Sequence, residues 1–443
     1  MAKATSMDTH LTTPEALPLE ENAFGLRWWL AVIISAALVN ALFAALFYTA
    51  LTGIGVWGNN IPFVWGFDLA NYGWWIGMAN GSALFACLLI LWRVPMRLAI
   101  SRWAEALALA AAICAALFPV FHLGKAWLSY WMVPYPAHTG LWPQPMSPLT
   151  WDFWSIFAYL LTIASLWYIG LIPDLAMLRD RAGARVKQRI YGLFALGWTG
   201  SSRQWALQQH CHRLLALSVI PFLIVMQSIV ALELAVTLVP DWHDTGLPVR
   251  FVVSGFASGL ALVYFFAGLM QSILPEMIDV DDDLLDQIGV FTLGAVYLSM
   301  FVVGLTALLE WLAPPDFSNS LTEWTSGSGA VLTWSSLFLS KVVPQLLWFR
   351  KIRRNRYAAI GISAAIASGI WLDHLSTIIL GLAHGHMETA GNLYAPSIIE
   401  LIILIGTLAL CLLIMLIFAR LLPLIAIYAA NEKQIYNQGE RLP

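Results

Sequence analysis

Charge is what this sequence has least of. Of its 443 residues, 11% are Asp, Glu, Lys or Arg, while 60% are hydrophobic. Soluble domains carry about a quarter of their residues as charge. The shortfall excludes a water-soluble enzyme and a disordered chain. A net charge of only -3 also gives no reason to expect nucleic acid as a partner. Cysteine is scarce too: Cys87, Cys114, Cys211 and Cys411 stand far apart, three of them in apolar runs. There is no C-x-x-C, no C-x-x-C-H and no four-cysteine cluster. No iron–sulfur, zinc or c-type haem site is therefore expected, and no metal ligand is assigned. The first 23 residues contain no apolar run, so a cleaved signal peptide is not expected.

What is abundant is continuous apolar sequence. A helix needs about 20 such residues to cross a bilayer. Ten stretches qualify, near 27–51, 70–92, 103–121, 149–172, 212–238, 250–274, 288–312, 330–349, 358–382 and 397–425. The runs do not alternate, which sets strands aside. The expected fold is an all-α integral membrane protein of about ten helices. It has a tail at 1–26, one membrane domain at 27–428 and a second tail at 429–443. No connection is large enough to hold a soluble catalytic unit; the longest, 173–211, is basic. Function is therefore expected in the spans or in a partner docked on them.

Ten spans place both termini on one side. With the N-terminus inside, 20 of the 23 Lys and Arg fall inside, Lys125 and Arg250 fall outside, and Lys341 lies within a span. That bias predicts that both termini are cytoplasmic. One inside connection dissents: 275–287 carries Glu276, Asp279, Asp281, Asp282, Asp283 and Asp286 and no base.

Ionisable residues within lipid are costly and tend to be functional or paired. His122 ends the third span, Asp152 starts the fourth, and Gln227 and Glu233 lie in the outer half of the fifth. All four collect toward the outer surface. A His with a carboxylate beside it suits deprotonation of a quinol hydroxyl, because the carboxylate orients the imidazole and stabilises its charged form. The same groups could instead simply bond one another or frame helix ends. Glu105, Glu310, Lys341, Asp373, His374 and Glu400 are more dispersed. They suit half-paths for protons or, equally, interhelical pairs. His210 and His212 flank Cys211 at the inner face and read as a solvated patch. Gly77 and Gly81 allow close helix packing.

The order of motifs resembles a known family. Trp65-Gly66-Phe67-Asp68-Leu69-Ala70-Asn71-Tyr72-Gly73-Trp74-Trp75 opens the second span, and Ser101-Arg102-Trp103-Ala104-Glu105 the third. Phe118-Pro119-Val120-Phe121-His122-Leu123-Gly124-Lys125 is similar to F-P-x-x-H-L-G-R. Ser147-Pro148-Leu149-Thr150-Trp151-Asp152 is similar to S-P-L-x-W-D, and Pro240-Asp241-Trp242-His243-Asp244-Thr245 to P-x-W-H-x-T. The set resembles the NrfD/PsrC-like membrane subunits, most of all the ActC subunits of alternative complex III, over about 24–428.

The resemblance implies two four-helix bundles, spans 2–5 and 6–9, with flanking helices. It implies a component of a quinol-oxidising complex rather than an enzyme alone. Menaquinol or ubiquinol would be the substrate, with no redox cofactor bound in this chain. Electrons would pass to an iron–sulfur or molybdopterin-like protein at the outer face, then to multihaem c-type cytochromes. Other membrane subunits, including an NrfD-like paralogue, would be neighbours. His122 and Asp152 would be the catalytic pair, with Asp68, Lys125, Gln227, Glu233 and His243 about the quinol. The sequence departs from the family where Gln227 and Glu233 replace His and Asp, and Lys125 replaces Arg. Three other readings stay open: a non-catalytic scaffold or proton-conducting subunit, the membrane anchor of a molybdopterin oxidoreductase, and a secondary transporter. A filled site beside His122 would favour the scaffold. A transporter should show broken half-helices, and none is evident in the sequence.

Overall fold

The computed structural model describes residues 24–60, 63–92, 94, 96–132, 148–239, 242–274, 280–312, 324–327, 329–383 and 394–424, with the backbone alone at 98, 131 and 148–152. Most of the first expected tail, the whole of the second, Asp241 and the part of the acidic connection that holds Glu276 and Asp279 lie outside those residues.

In lipid every backbone N–H and C=O must be bonded within its own segment, so continuous apolar runs become helices. Ten of the described helices are long and apolar enough to cross a membrane. They are α1 (Leu26–Thr52), α2 (Phe67–Trp92), α3 (Met96–His122), α4 (Pro148–Arg181), α6 (Ser202–Ala235), α7 (Leu247–Ile273), α8 (Asp282–Leu312), the span 330–348 opened by α9 (Ala330–Leu337), α10 (Arg356–Ala383) and α11 (Ile398–Leu421). A short helix, α5 (Arg185–Phe194), joins α4 to α6. The apolar runs marked the spans well but not the helix ends. α4 runs on to Arg181, and α6 begins at Ser202, where Ser201 and Gln204 form a capping box. Apolar length measures the lipid, whereas a helix continues into water for as long as its backbone stays bonded. Most of 173–211 is therefore helix rather than loop.

α2, α3, α4 and α6 close one four-helix bundle; α7, α8, the span 330–348 and α10 close the second. The bundles meet chiefly where α2 packs on α7. Glycines make that seam possible: a Cβ at Gly77 would stand 3.1 Å from the Gly255 Cα, and one at Gly81 would stand 2.8 Å from the Gly259 Cα. Backbones approach this closely only where side chains are missing. α1 packs mainly on α11, and this pair flanks the first bundle. At the end of the pair where α1 begins and α11 finishes, Arg420 stands 5.2, 4.9 and 5.1 Å over the rings of Phe24, Trp28 and Trp29.

The span 330–348 departs from expectation. It passes from α-helix into a π-turn, Phe338–Val342, and then a 3-10 stretch, Val343–Trp348. Pro344 lacks an N–H, so it cannot complete the α ladder to the carbonyl of Ser340. A helix continuous in hydropathy is thus irregular in backbone, with Lys341 inside the π-turn. The acidic connection also finds partners. Asp286 pairs with Arg353 at 2.6 Å and Arg350 at 3.2 Å, and Asp283 pairs with Arg354. These contacts tie the start of α8 to the turn before α10.

Candidate active site

At one end of the first bundle, the end that the distribution of bases leads one to expect outside and that is called outer here, the start of α2 and the end of α3 come together. Asp68 lies in the first turn of α2 and His122 in the last turn of α3. His122 Nε2 is 2.5 Å from Asp68 Oδ2, and the two side chains are only 5% and 3% exposed. Local sequence explains the placement. The α2 N-terminus favours a carboxylate there. Gly124, at φ 72°, turns the chain out of α3 in the left-handed region that glycine adopts without strain. Aromatic rings surround the imidazole: Tyr72 edge-on at 5.7 Å, Trp65 at 6.1 Å and Phe118 at 6.3 Å between centroids. Trp65 Nε1 donates to the His122 carbonyl at 3.3 Å.

A cleft reaches Asp68 between Leu42, Leu46, Leu117, Phe118, Phe121, Ile403 and Thr407; in this conformation it leaves no room for a water-sized molecule. Beside it, Glu400 is buried and fully engaged. It accepts from Gly58 N at 2.8 Å, from Tyr394 Oη at 2.5 Å and from Ser397 N at 2.8 Å. Tyr394 Oη in turn accepts from Phe67 N at 2.9 Å. Burial first, then the hydrogen bond to Glu400, pushes the Tyr394 hydroxyl pKa up. Glu400 therefore works here as a knot holding α11, α2 and the end of the α1 connection.

Asp68, expected only about the quinol, stands directly beside His122 Nε2. Asp152 starts α4 at the same outer level, but its side chain lies outside the described residues. Glu233 is half-buried near the outer end of α6. Gln227 is not at this level: its Oε1 accepts from Asn80 Nδ2 at 2.8 Å, within the α2–α7 seam. Asn80 stands twelve residues along α2 from Asp68, about 18 Å of helix rise. Replacing His by Gln at 227 therefore alters the mid-membrane seam rather than the His122 site. Lys125 is exposed just past α3, and His243 is exposed with Nδ1 3.0 Å from the Thr237 carbonyl. Neither meets the pair.

The dispersed groups separate into local clusters. At the inner end Arg102 and Asp174 form a buried pair at 2.9 Å. Glu105, 1% exposed, is 3.6 Å from His212, 16% exposed. His212 is therefore no solvated patch. It lies on the face of α6 that buries Ala216, Val219, Leu223 and Met226, and that spacing was visible in the sequence. In the second bundle Lys341 Nζ is 2.5 Å from Ser299 Oγ. Arg250 is 3.6 Å from Asp373 and bonds Thr377. His374 has Nδ1 2.9 Å from the Ile370 carbonyl and packs on Phe251. Glu310 is half-buried near the outer end of α8. No group of three or more His, Cys, Asp or Glu among the described residues is arranged to hold a metal.

No curated protein matches the chain. The model of one family, polysulphide reductase NrfD, matches residues 55–384, well over half of the sequence. That family consists of membrane subunits that interact with quinol within oxidoreductase complexes, beside iron–sulfur or molybdopterin proteins. The chain, a multi-pass membrane protein with about ten apolar helices, belongs to the polysulphide reductase NrfD family.

Proposed function

We propose that this chain oxidises quinol at the outer end of its first bundle and passes the electrons to a docked iron–sulfur partner. The buried His122–Asp68 pair carries the reading. The pair accepts a quinol proton as a unit. When the imidazole is charged, the adjacent carboxylate offsets that charge where little water can. Trp65, Tyr72 and Phe118 supply aromatic faces for an apolar ring. Asp152 is a further carboxylate at the same level, with Glu233 near it on α6. Menaquinol or ubiquinol is the substrate, and the chain itself holds no redox cofactor. The motif run supports a complex of the alternative complex III type. Its partners there are a molybdopterin-like iron–sulfur protein, multihaem c-type cytochromes and an NrfD-like paralogue. The setting is a bacterial inner membrane with both termini cytoplasmic. Glu105 with His212, then Lys341, Asp373 and His374, serve as proton-holding stations.

In the complete complex, His122→Ala should abolish quinol-dependent reduction of the partner. Asp68→Asn should slow it by about 10² or more, the usual weight of a positioned acid–base group. Unchanged turnover in both would remove the assignment. One observation favours a second reading, a non-catalytic scaffold: the cleft at Asp68 is closed to a water-sized molecule. A quinone that fails to quench the tryptophan fluorescence of the purified protein, together with a silent His122→Ala, would decide for the scaffold.

A further inference from the structure

We propose that a groove directly beneath the His122–Asp68 cleft binds the isoprenoid tail of the quinol. The proposal rests on the quinol reading. The groove lies between the flanking pair α1/α11 and helices α2, α3 and α7. Its volume is about 400 Å³, and its walls include Leu38, Trp75, Leu107, Phe266, Leu412 and Met415. That is within the range of small-molecule sites, roughly 300–1,000 Å³.

Its position relative to Asp68 identifies the occupant. The Asp68 cleft is lined by Leu42 and Leu46 of α1 and by Ile403 and Thr407 of α11. The groove continues on the same two helices, one turn lower on α1 at Leu38 and at the very next residue on α11, Leu408. Trp75 of the groove and Thr407 of the cleft are joined at the boundary by a 3.1 Å hydrogen bond. The column runs from Leu46 to Ile34 on α1 and from Ile403 to Met415 on α11. Each stretch is twelve residues, about 18 Å of rise. It therefore carries its carboxylate at the outer end and, apart from Ser35 and Cys411, is apolar for the rest of its length, like a hydroxyl-bearing ring with a long hydrocarbon tail. A phospholipid filling the same column would set its phosphate beside Asp68 and Glu400, two carboxylates. An uncharged ring meets no such repulsion.

The test uses the complete complex with Ala409→Phe and, as a milder change, Ser35→Leu; both residues line the groove. Each is assayed with a quinol bearing four isoprene units and with the same ring lacking the tail. The ratio of kcat/KM for tailed over tailless substrate should fall about tenfold, since burying even a single five-carbon unit is worth at least that. An unchanged ratio overturns the groove while leaving the quinol reading intact. A wild-type complex that oxidises neither quinol overturns both. Folding of the variants is bypassed by a second measurement on the wild-type complex. A quinone with a diazirine on its second isoprene unit should cross-link to α1 and α11 at Leu38, Leu412 or Met415. Cross-links confined to other helices, or a phospholipid found in the groove in place of the probe, overturn the proposal.

Discussion

Asp174 shows how much a single buried charge does in this molecule. It sits in α4 just past Pro173, where hydropathy ends the span, and reading the chain by apolar length alone sets it in an inner loop. The helix continues, and Asp174 meets Arg102 at 2.9 Å with both side chains nearly excluded from water. Removing one partner of such a pair strands the other charge and costs about 3–5 kcal/mol. Asp174→Ala should therefore lower the melting temperature of the detergent-purified protein markedly. Asp283→Ala should change stability by only about 0–1 kcal/mol, because the Asp283 contacts with Arg350 and Arg354 lie at the surface. Equal losses in the two variants would contradict the burial argument. His122 was legible in the sequence because an ionisable group at a span end stands out. Asp68 as its partner was not, because pairing depends on which helix ends share a corner, and depth alone leaves that open.

At the scale of elements, the decisive contact is the glycine seam between α2 and α7. Gly77, Gly81, Gly255 and Gly259 let the two bundles touch backbone to backbone, and Asn80 with Gln227 closes the seam by a hydrogen bond. Gly81→Leu should push the bundles apart, at a cost of roughly 1–3 kcal/mol for the overpacking. Gly294→Leu on α8, where an added Cβ meets nothing within 4 Å, should be tolerated. Thermal melts of the two variants give the comparison, and a Gly81→Leu protein as stable as the parent would refute the seam. The span 330–348 shows the opposite limit of sequence reading. Its apolar content announced a span, but the π-turn around Lys341 follows from Pro344 and from a neighbour, Gly369, whose missing side chain admits the Ser340 backbone. Hydropathy is blind to both.

For the whole molecule, about ten spans were accessible from run length, because membrane thickness fixes that length. Their arrangement in two bundles came only as what the resemblance of the motifs implies. Orientation can be checked with the protein's own cysteines. Cys211 is exposed at the inner end of α6, whereas Cys87, Cys114 and Cys411 are buried. A membrane-impermeant maleimide should label Cys211 in inverted vesicles and leave it untouched in right-side-out cells. Labelling from outside would reverse the topology, and with it the side on which His122 meets its partner.

The contact between His122 and Asp68 also has a mechanical meaning. α2 and α3 are joined at their inner ends by the short connection 93–95, and at their outer ends by this 2.5 Å contact. The two helices form a hairpin latched at its mouth. Separating the imidazole from the carboxylate would remove this tie at the mouth, next to the narrow cleft that reaches Asp68. In Asp68→Asn, amide exchange in the outer turns of α2 and α3 should quicken while their inner turns keep their protection. A hairpin held shut by packing alone would exchange as before.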